Sequence, residues 1–168
     1  MPAPVTELDA RYSEPEAAAT GWEDALAELA TAELSWISTV RRDGRPHVTP
    51  LITVVHDGTV YFCTGPEEQK GRNLAANPSV AMTTGRNDLH GGLDLVVEGT
   101  AERVTDDDLL HTLADSYVAK YGEEWRFDVG DGVFRHTDDV GGAWVFAVRA
   151  RTAYGFGKEP YSHTRWTF

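Results

Sequence analysis

From Leu34 to Val40 apolar and polar positions alternate with period two, the signature of a half-buried strand. Leu34-Ser35-Trp36-Ile37-Ser38-Thr39-Val40 is rich in strand formers and places Trp36 in a core. Arg42-Asp43-Gly44-Arg45 reads as a tight turn, because Asp-Gly tolerates the positive φ angles of a short hairpin. His47 to Val55 reads as the return strand, His56-Asp57-Gly58 as a second Asp-Gly turn, and Thr59 to Cys63 as a third strand. Together they predict an antiparallel meander.

The period then changes. Pro66 to Ala76 predicts a short helix, with Pro and Glu in its first turn and Asn77-Pro78 as its stop. Ser79 to Thr84 and Leu93 to Val104 predict two further strands, separated by a loop from Gly85 to Gly92. Thr105, followed by Asp106, Asp107 and Asp108, opens a helix to about Tyr121, with acids at its positive end. Gly122 to Val140 is irregular, Ala143 to Tyr154 is a last long strand, and Gly155 to Phe168 reads as a docking tail. Near the start, Thr20 and Glu23 have capping-box spacing ahead of a helix whose apolar face holds Trp22, Leu26, Leu29 and Ala30. Residues 1–20 carry three prolines and no period, and read as an arm preceding one domain over 21–168. The sum is an α+β, mainly β fold: an antiparallel barrel with short flanking helices.

Composition narrows the function. The formal net charge is −12, which opposes nucleic acid or an anionic membrane surface as partner and makes any local basic group informative. No apolar run reaches the length of a membrane span, and the N-terminal residues lack a signal-peptide pattern. Cys63 is the single cysteine, so a reducing cytoplasm is the expected location.

The strongest local chemistry is Phe62-Cys63-Thr64-Gly65-Pro66-Glu67-Glu68-Gln69-Lys70-Gly71-Arg72, a strand running through a turn into a helix. Free N–H groups at a helix start, the Thr64 hydroxyl and the Lys70 ammonium suit a phosphate. The same segment also reads as an ordinary strand–helix turn with solvated Lys and Arg, and Glu67 and Glu68 would repel a phosphate unless they face away. His136 with Asp138 and Asp139 is a single short cluster without a second ligand pair, so no metal is expected. Cys63 reads as a small strand residue rather than a nucleophile.

Gly44-Arg45-Pro46-His47-Val48-Thr49-Pro50-Leu51, Val60-Tyr61-Phe62-Cys63-Thr64-Gly65, Gln69-Lys70-Gly71-Arg72-Asn73-Leu74 and Asn77-Pro78 follow one another in an order that resembles the pyridoxamine 5′-phosphate oxidase-like split-barrel superfamily. Val97-Glu98-Gly99-Thr100-Ala101, Lys120-Tyr121-Gly122 and Thr164-Arg165-Trp166-Thr167-Phe168 extend the similarity, most of all to the actinobacterial flavin/deazaflavin oxidoreductases. The resemblance implies an FMN-binding-type split barrel and a homodimer with cofactor sites at the subunit interface. His47, Val48, Thr49, Pro50 and Leu51 would run beside the cofactor ring and its ribityl chain. Cys63, Thr64, Gln69 and Lys70 would hold the phosphate, and Arg165 and Trp166 of the other subunit would close over it. Asp94 stands where the oxidase has a ring-contacting glutamine. Thr49 and Gln69 replace arginines of the oxidase, and no basic cluster for a pyridoxal phosphate group is found. The resulting expectation is a coenzyme F420-dependent oxidoreductase acting by hydride transfer on a small conjugated substrate. An FMN-binding oxidoreductase and a non-catalytic cofactor carrier are the alternatives.

Overall fold

The structure is a computed structural model that describes residues 3–136 and 142–168. Among these described residues, eleven strands and three α-helices follow in the order β1 (Val5–Leu8), α1 (Trp22–Thr31), β2 (Ser35–Val40), β3 (Pro46–Leu51), β4 (Val54–His56), β5 (Thr59–Thr64), α2 (Gln69–Ala76), β6 (Ser79–Thr84), β7 (Leu93–Val104), α3 (Asp107–Tyr121), β8 (Asp128–Gly130), β9 (Val133–Arg135), β10 (Trp144–Lys158) and β11 (Tyr161–Thr167). Nine of these strands form one antiparallel sheet, with the path β1-β11-β10-β7-β6-β2-β3, while β5 branches from β10 and pairs in turn with β4. β8 and β9 form a separate hairpin.

The branch makes the barrel a split one. On one side β10 pairs with β7 along nearly its whole length. On the other, Trp144–Val148 pairs with β5 and Thr152–Lys158 with β11. Between these stretches the β7–β10 register shifts at Arg151, a bulge that bends the strand. Gly99 faces this point, where an added Cβ would lie 2.0 Å from the Arg149 carbonyl oxygen, so only glycine lets the two backbones approach.

The core has two compartments. Ile37, Phe62, Met82, Leu95, Val97, Phe146, Val148 and Trp166 fill the barrel, closed below by Ala25 and Leu29 of α1. Tyr61, Val145 and Ala147 point the opposite way, into a second cluster with Leu110, Leu113 and Tyr117 of α3 and Phe134. Strands β5 and β10 are therefore covered on both faces, which explains why Val60-Tyr61-Phe62 and Val145-Phe146-Ala147-Val148 are continuous apolar runs.

Several expectations are corrected. The return strand is two strands, because the chain leaves β3 at Ile52 and starts β4 at Val54. β3 pairs with β2 and β4 with β5, so the meander is opened into two hairpins at the split. The last turn of α3 satisfies the break: the Thr53 N–H donates to the Tyr121 hydroxyl (3.1 Å), and the Thr53 carbonyl accepts from Lys120 Nζ (2.8 Å) and Tyr121 Oη (2.9 Å). Within the arm, Val5–Leu8 forms β1 and pairs with β11. Gly155 to Phe168 continues β10 and forms β11, not a docking tail. Gly21, not Thr20, precedes α1, without a side-chain cap, because Thr20 is engaged by β11: its N–H donates to Thr164 Oγ1 (2.9 Å) and its carbonyl accepts from Trp166 Nε1 (3.2 Å). Asp106, not Thr105, caps α3 through Leu109 N–H (2.8 Å). Trp36 lies on the outer sheet face and is 49% exposed.

Burial pushes the Lys120 ammonium down to about 8. Folding thus disfavours the charged form, and the penalty is relieved as pH rises from about 8 toward the ordinary lysine value. The stability difference between the natural protein and Lys120→Met, measured by urea denaturation, is expected to shift in favour of the natural protein between about pH 8 and pH 10.

Candidate functional site

The turn from β5 into α2 builds a small anion cradle. Thr64 is buried at the end of β5, and the chain turns through Gly65, Pro66 and Glu67 to Glu68, the residue preceding α2. α2 begins at Gln69, three residues later than the sequence predicts, because Pro66 and Glu67 are spent on the turn. The turn is tight: a Cβ on Gly71 would lie 2.4 Å from the Gly65 carbonyl oxygen, so the glycine allows the first turn of α2 to sit against residues 65 and 66.

This cradle already holds an anion of the chain's own. Glu68 Oε1 accepts the Gly65 N–H at 2.8 Å, and Oε2 accepts from Lys70 Nζ. Burial alone would raise the Glu68 carboxyl, but Lys70 and the Gly65 N–H outweigh it and hold the group below its ordinary range. A backbone N–H and an ammonium aimed at one carboxylate are the donor set a phosphate oxygen requires. The donors therefore fit a phosphate, with Glu68 as the group it displaces.

A hydrogen-bonded chain ties α2 to the barrel. Gln69 Nε2 donates to Asn73 Oδ1 (2.8 Å), Asn73 Nδ2 donates to Thr39 Oγ1 (2.9 Å), and Thr39 Oγ1 lies 3.4 Å from His47 Nδ1. Asn73 is buried, so this network fixes the helix against β2. Gln69 is thereby committed to Asn73 rather than aimed at the cradle. Burial, then Arg41 and Lys70, hold the His47 imidazole below its ordinary value, so it is neutral near pH 7.

β3 ends the sheet path, and its two prolines, Pro46 and Pro50, are at home on an edge because they lack an N–H. Its outer edge leaves backbone groups for a ligand. Side chains alternate: His47, Thr49 and Leu51 are half-buried, whereas Val48 and Pro50 are exposed. Thr49 Oγ1 is buried without a hydrogen-bond partner among the described residues, the condition of a polar group shaped for something else. The structure thus brings Thr64 and Lys70 into one cradle and sets the β3 residues on a neighbouring edge.

The other expected residues separate. Cys63 packs toward α3, and burial pushes its thiol up to about 11, which makes it neither nucleophile nor anion ligand. Trp166, expected to close over a cofactor from the other subunit, is wholly buried in its own barrel, edge-on to Trp22 at 5.3 Å. Gly155 makes room for it, since a Cβ there would meet its ring at 2.4 Å. Arg165 alternates to the outer face and pairs with Glu7 at 2.7 Å. Asp94 is paired with Lys158 at 2.9 Å and accepts the Arg86 N–H at 3.1 Å. His136 meets the Glu124 carbonyl at 3.0 Å, while Asp138 and Asp139 lie outside the described residues. Sequence reasoning missed the internal Glu68 anion, although the Glu68-x-Lys70 spacing was its signal.

The barrel that splits at β10 and the strand–turn–helix cradle together define a protein of the pyridoxamine 5′-phosphate oxidase-like split-barrel class. The chain belongs to the pyridoxamine 5′-phosphate oxidase family, whose sequence model matches residues 22–151. It is 35% identical over 98 residues to a pyridoxine/pyridoxamine 5′-phosphate oxidase of Bacteroides thetaiotaomicron, a match covering 58% of this chain and 42% of that protein. To the oxidase of the same description from Pseudomonas entomophila it is 40% identical over 70 residues, covering 41% of this chain and 32% of that one. The matched segments therefore span less than half of either relative. Among solved structures, a conserved hypothetical protein from Mycobacterium tuberculosis superposes with a TM-score of 0.68 at 18% identity, covering 92% of this chain and 91% of that one. A heme-binding protein from Mycobacterium smegmatis superposes at 0.67 with 18% identity, covering 85% and 56%. At these identities the two structures share the fold. Flavin (FMN) or a related cofactor is the group that this family generally binds.

Replacing Gly71 with Ala forces the α2 turn away from Gly65 and is expected to cost about 1–3 kcal/mol in urea denaturation, the range of an overpacked site. Ala substitution at Gly44, where no atom lies within 4 Å but φ is +83°, tests strain without crowding.

Proposed function

We propose that this chain is a flavin-class oxidoreductase that anchors its cofactor phosphate in the cradle of Thr64, Gly65 and Lys70. The observation that carries the reading is the Glu68 carboxylate, held there by the Gly65 N–H and Lys70 as a phosphate would be. Bound there, a flavin or deazaflavin supplies two-electron hydride chemistry to a small conjugated substrate. The chain's own part is to bind and orient. Lys70 gives one positive charge, Gly65 one N–H, and the edge of β3 backbone donors and acceptors, with the Thr49 hydroxyl of the same strand unpartnered among the described residues. His47, neutral and joined to Thr39, is a proton carrier beside this edge rather than a charge for the phosphate.

Of the cofactors in this class we favour coenzyme F420 over FMN. Thr49 and Gln69 stand where the resemblance expects arginines; Gln69 is tied to Asn73, and Lys70 is shared with Glu68. That leaves a weakly cationic cradle, suited to an exchanging cofactor more than a retained one. An FMN enzyme is yellow as isolated; the deazaflavin reading expects colourless protein.

Side-by-side titration with F420 and FMN, followed by fluorescence and calorimetry, tests both levels. F420 is expected to bind, Lys70→Ala to weaken it by about tenfold or more, and Glu68→Gln to strengthen it, since charge-assisted bonds are about twice as strong as neutral ones. Tight FMN binding with no F420 response overturns the choice of cofactor. Unchanged affinity in Lys70→Ala overturns the cradle.

The partner of this chain is proposed to be a second copy. Leu34, Trp36 and Val48 are 53%, 49% and 53% exposed, and Trp36 and Val48 lie beside Pro50 on the outer face of β2 and β3. Trp36, Pro50 and Thr83 form one row across this face, giving an apolar surface next to the β3 edge. Sedimentation is expected to show a dimer, and Trp36→Glu a monomer of unchanged secondary structure.

A further inference from the structure

The chain carries a formal charge of −12, yet one cleft of about 540 Å³ is lined by four arginines. Arg41, Arg42 and Arg45 come from the turn between β2 and β3, which also puts the Asp43 carboxylate on the cleft, and Arg72 comes from α2; Asn73 and Trp144 also line the space. Arg103 brings a fifth guanidinium to this region, lying 4.6 Å from the Trp144 ring centre. Two of the lining arginines are matched by carboxylates, Arg45 by Asp43 at 2.8 Å and Arg72 by Glu67 at 3.1 Å. Arg41 and Arg42 have no carboxylate within ion-pair distance among the described residues. With 27 acidic residues against 15 Lys and Arg, two arginines adjacent in sequence and without an ion-pair partner among the described residues run against the chain's own balance. Arg41 also acts beyond the cleft, adding to the burial that holds the His47 imidazole below its ordinary value.

We propose that this cleft is a binding site for a small dianion of the phosphate-monoester class, held between Arg41 and Arg42 with its organic part toward Trp144. Two unmatched positive charges call for two negative ones. A phosphate monoester carries about −1.5 to −2 at neutral pH, and its oxygens match the planar fork of a guanidinium. The 540 Å³ of space exceeds what a bare phosphate fills, and Trp144 offers an apolar wall to the group that bears it. The net charge of −12 repels long polyanions at a distance, whereas a small dianion meets the local field of the arginines. The cleft is not the cofactor cradle: Thr64 and Lys70 do not line it, although Pro66 and Gln69 border both. It stands independently of the cofactor reading.

Calorimetric titration of the full chain with phenyl phosphate at low ionic strength, with phenol as the control, tests the site. Phenyl phosphate is expected to bind and phenol not. Arg41→Gln with Arg42→Gln is expected to weaken binding by about tenfold or more, as lost charge-assisted contacts require. Arg41→Lys with Arg42→Lys keeps the charge but loses the fork, and is expected to fall between the two. Lys70→Ala is expected to leave the affinity within about threefold, because Lys70 does not line the cleft and its charge is already matched by Glu68. Absence of binding to the natural protein, or undiminished binding in the double Gln variant with its melting temperature preserved, overturns the proposal. Loss in Lys70→Ala alone places the anion in the cradle and overturns it equally.

Discussion

The approach of β7 to β10 at Gly99 is the constraint on which the rest of the structure depends. A Cβ at Gly99 would lie 2.0 Å from the Arg149 carbonyl, so the strands come this close only because none is there. The neighbouring bulge at Arg151 turns β10, letting its first half pair with β5 and its second with β11 while both stay on β7. Without the bend, β5 and β11 would compete for one edge. With it, the sheet divides, the barrel stays open between β3 and β4, and β3 becomes an edge strand.

The division sets the site. β5 arrives beside β10 with Phe62 in the barrel and Tyr61 against α3, and this two-sided burial delivers Thr64 and the cradle turn to a fixed place. α2 is anchored by Leu74 in the core and by the Gln69–Asn73–Thr39 chain. A buried, fully hydrogen-bonded network of this kind fixes position more sharply than apolar contact alone. The cradle is thus rigid on the barrel side, while Glu68, an exposed side chain, is the part free to leave.

Two basic features sit on either side of α2 in an acidic protein. In the cradle Lys70 is answered by Glu68; in the neighbouring cleft Arg41 and Arg42 are not answered among the described residues. The difference is one of local sequence. The Asp43 that makes the β2–β3 turn also satisfies Arg45, and one acid within a five-residue connection cannot satisfy three guanidiniums.

Much of this was legible from the chain. Asp-Gly turns, the strands Ser79–Thr84 and Leu93–Val104, and the strand–turn–helix cradle follow from local rules of dihedral preference and alternation, which act within a few residues. The order of motifs carried the family, though not what occupies the site. What local rules could not supply was pairing across distance. Whether Trp166 covers a partner's cofactor or fills its own barrel depends on Gly155, eleven residues earlier on the adjacent strand. Whether His47 to Val55 is one strand or two depends on Lys120 and Tyr121 satisfying the Thr53 backbone. Val5–Leu8 is a strand only because β11 offers it an edge. The sequence by itself determined the elements whose hydrogen bonds close locally. The tertiary structure decided every element whose backbone or side chain finds its partner far along the chain, because the free energy of those contacts exists only once the fold has brought them together.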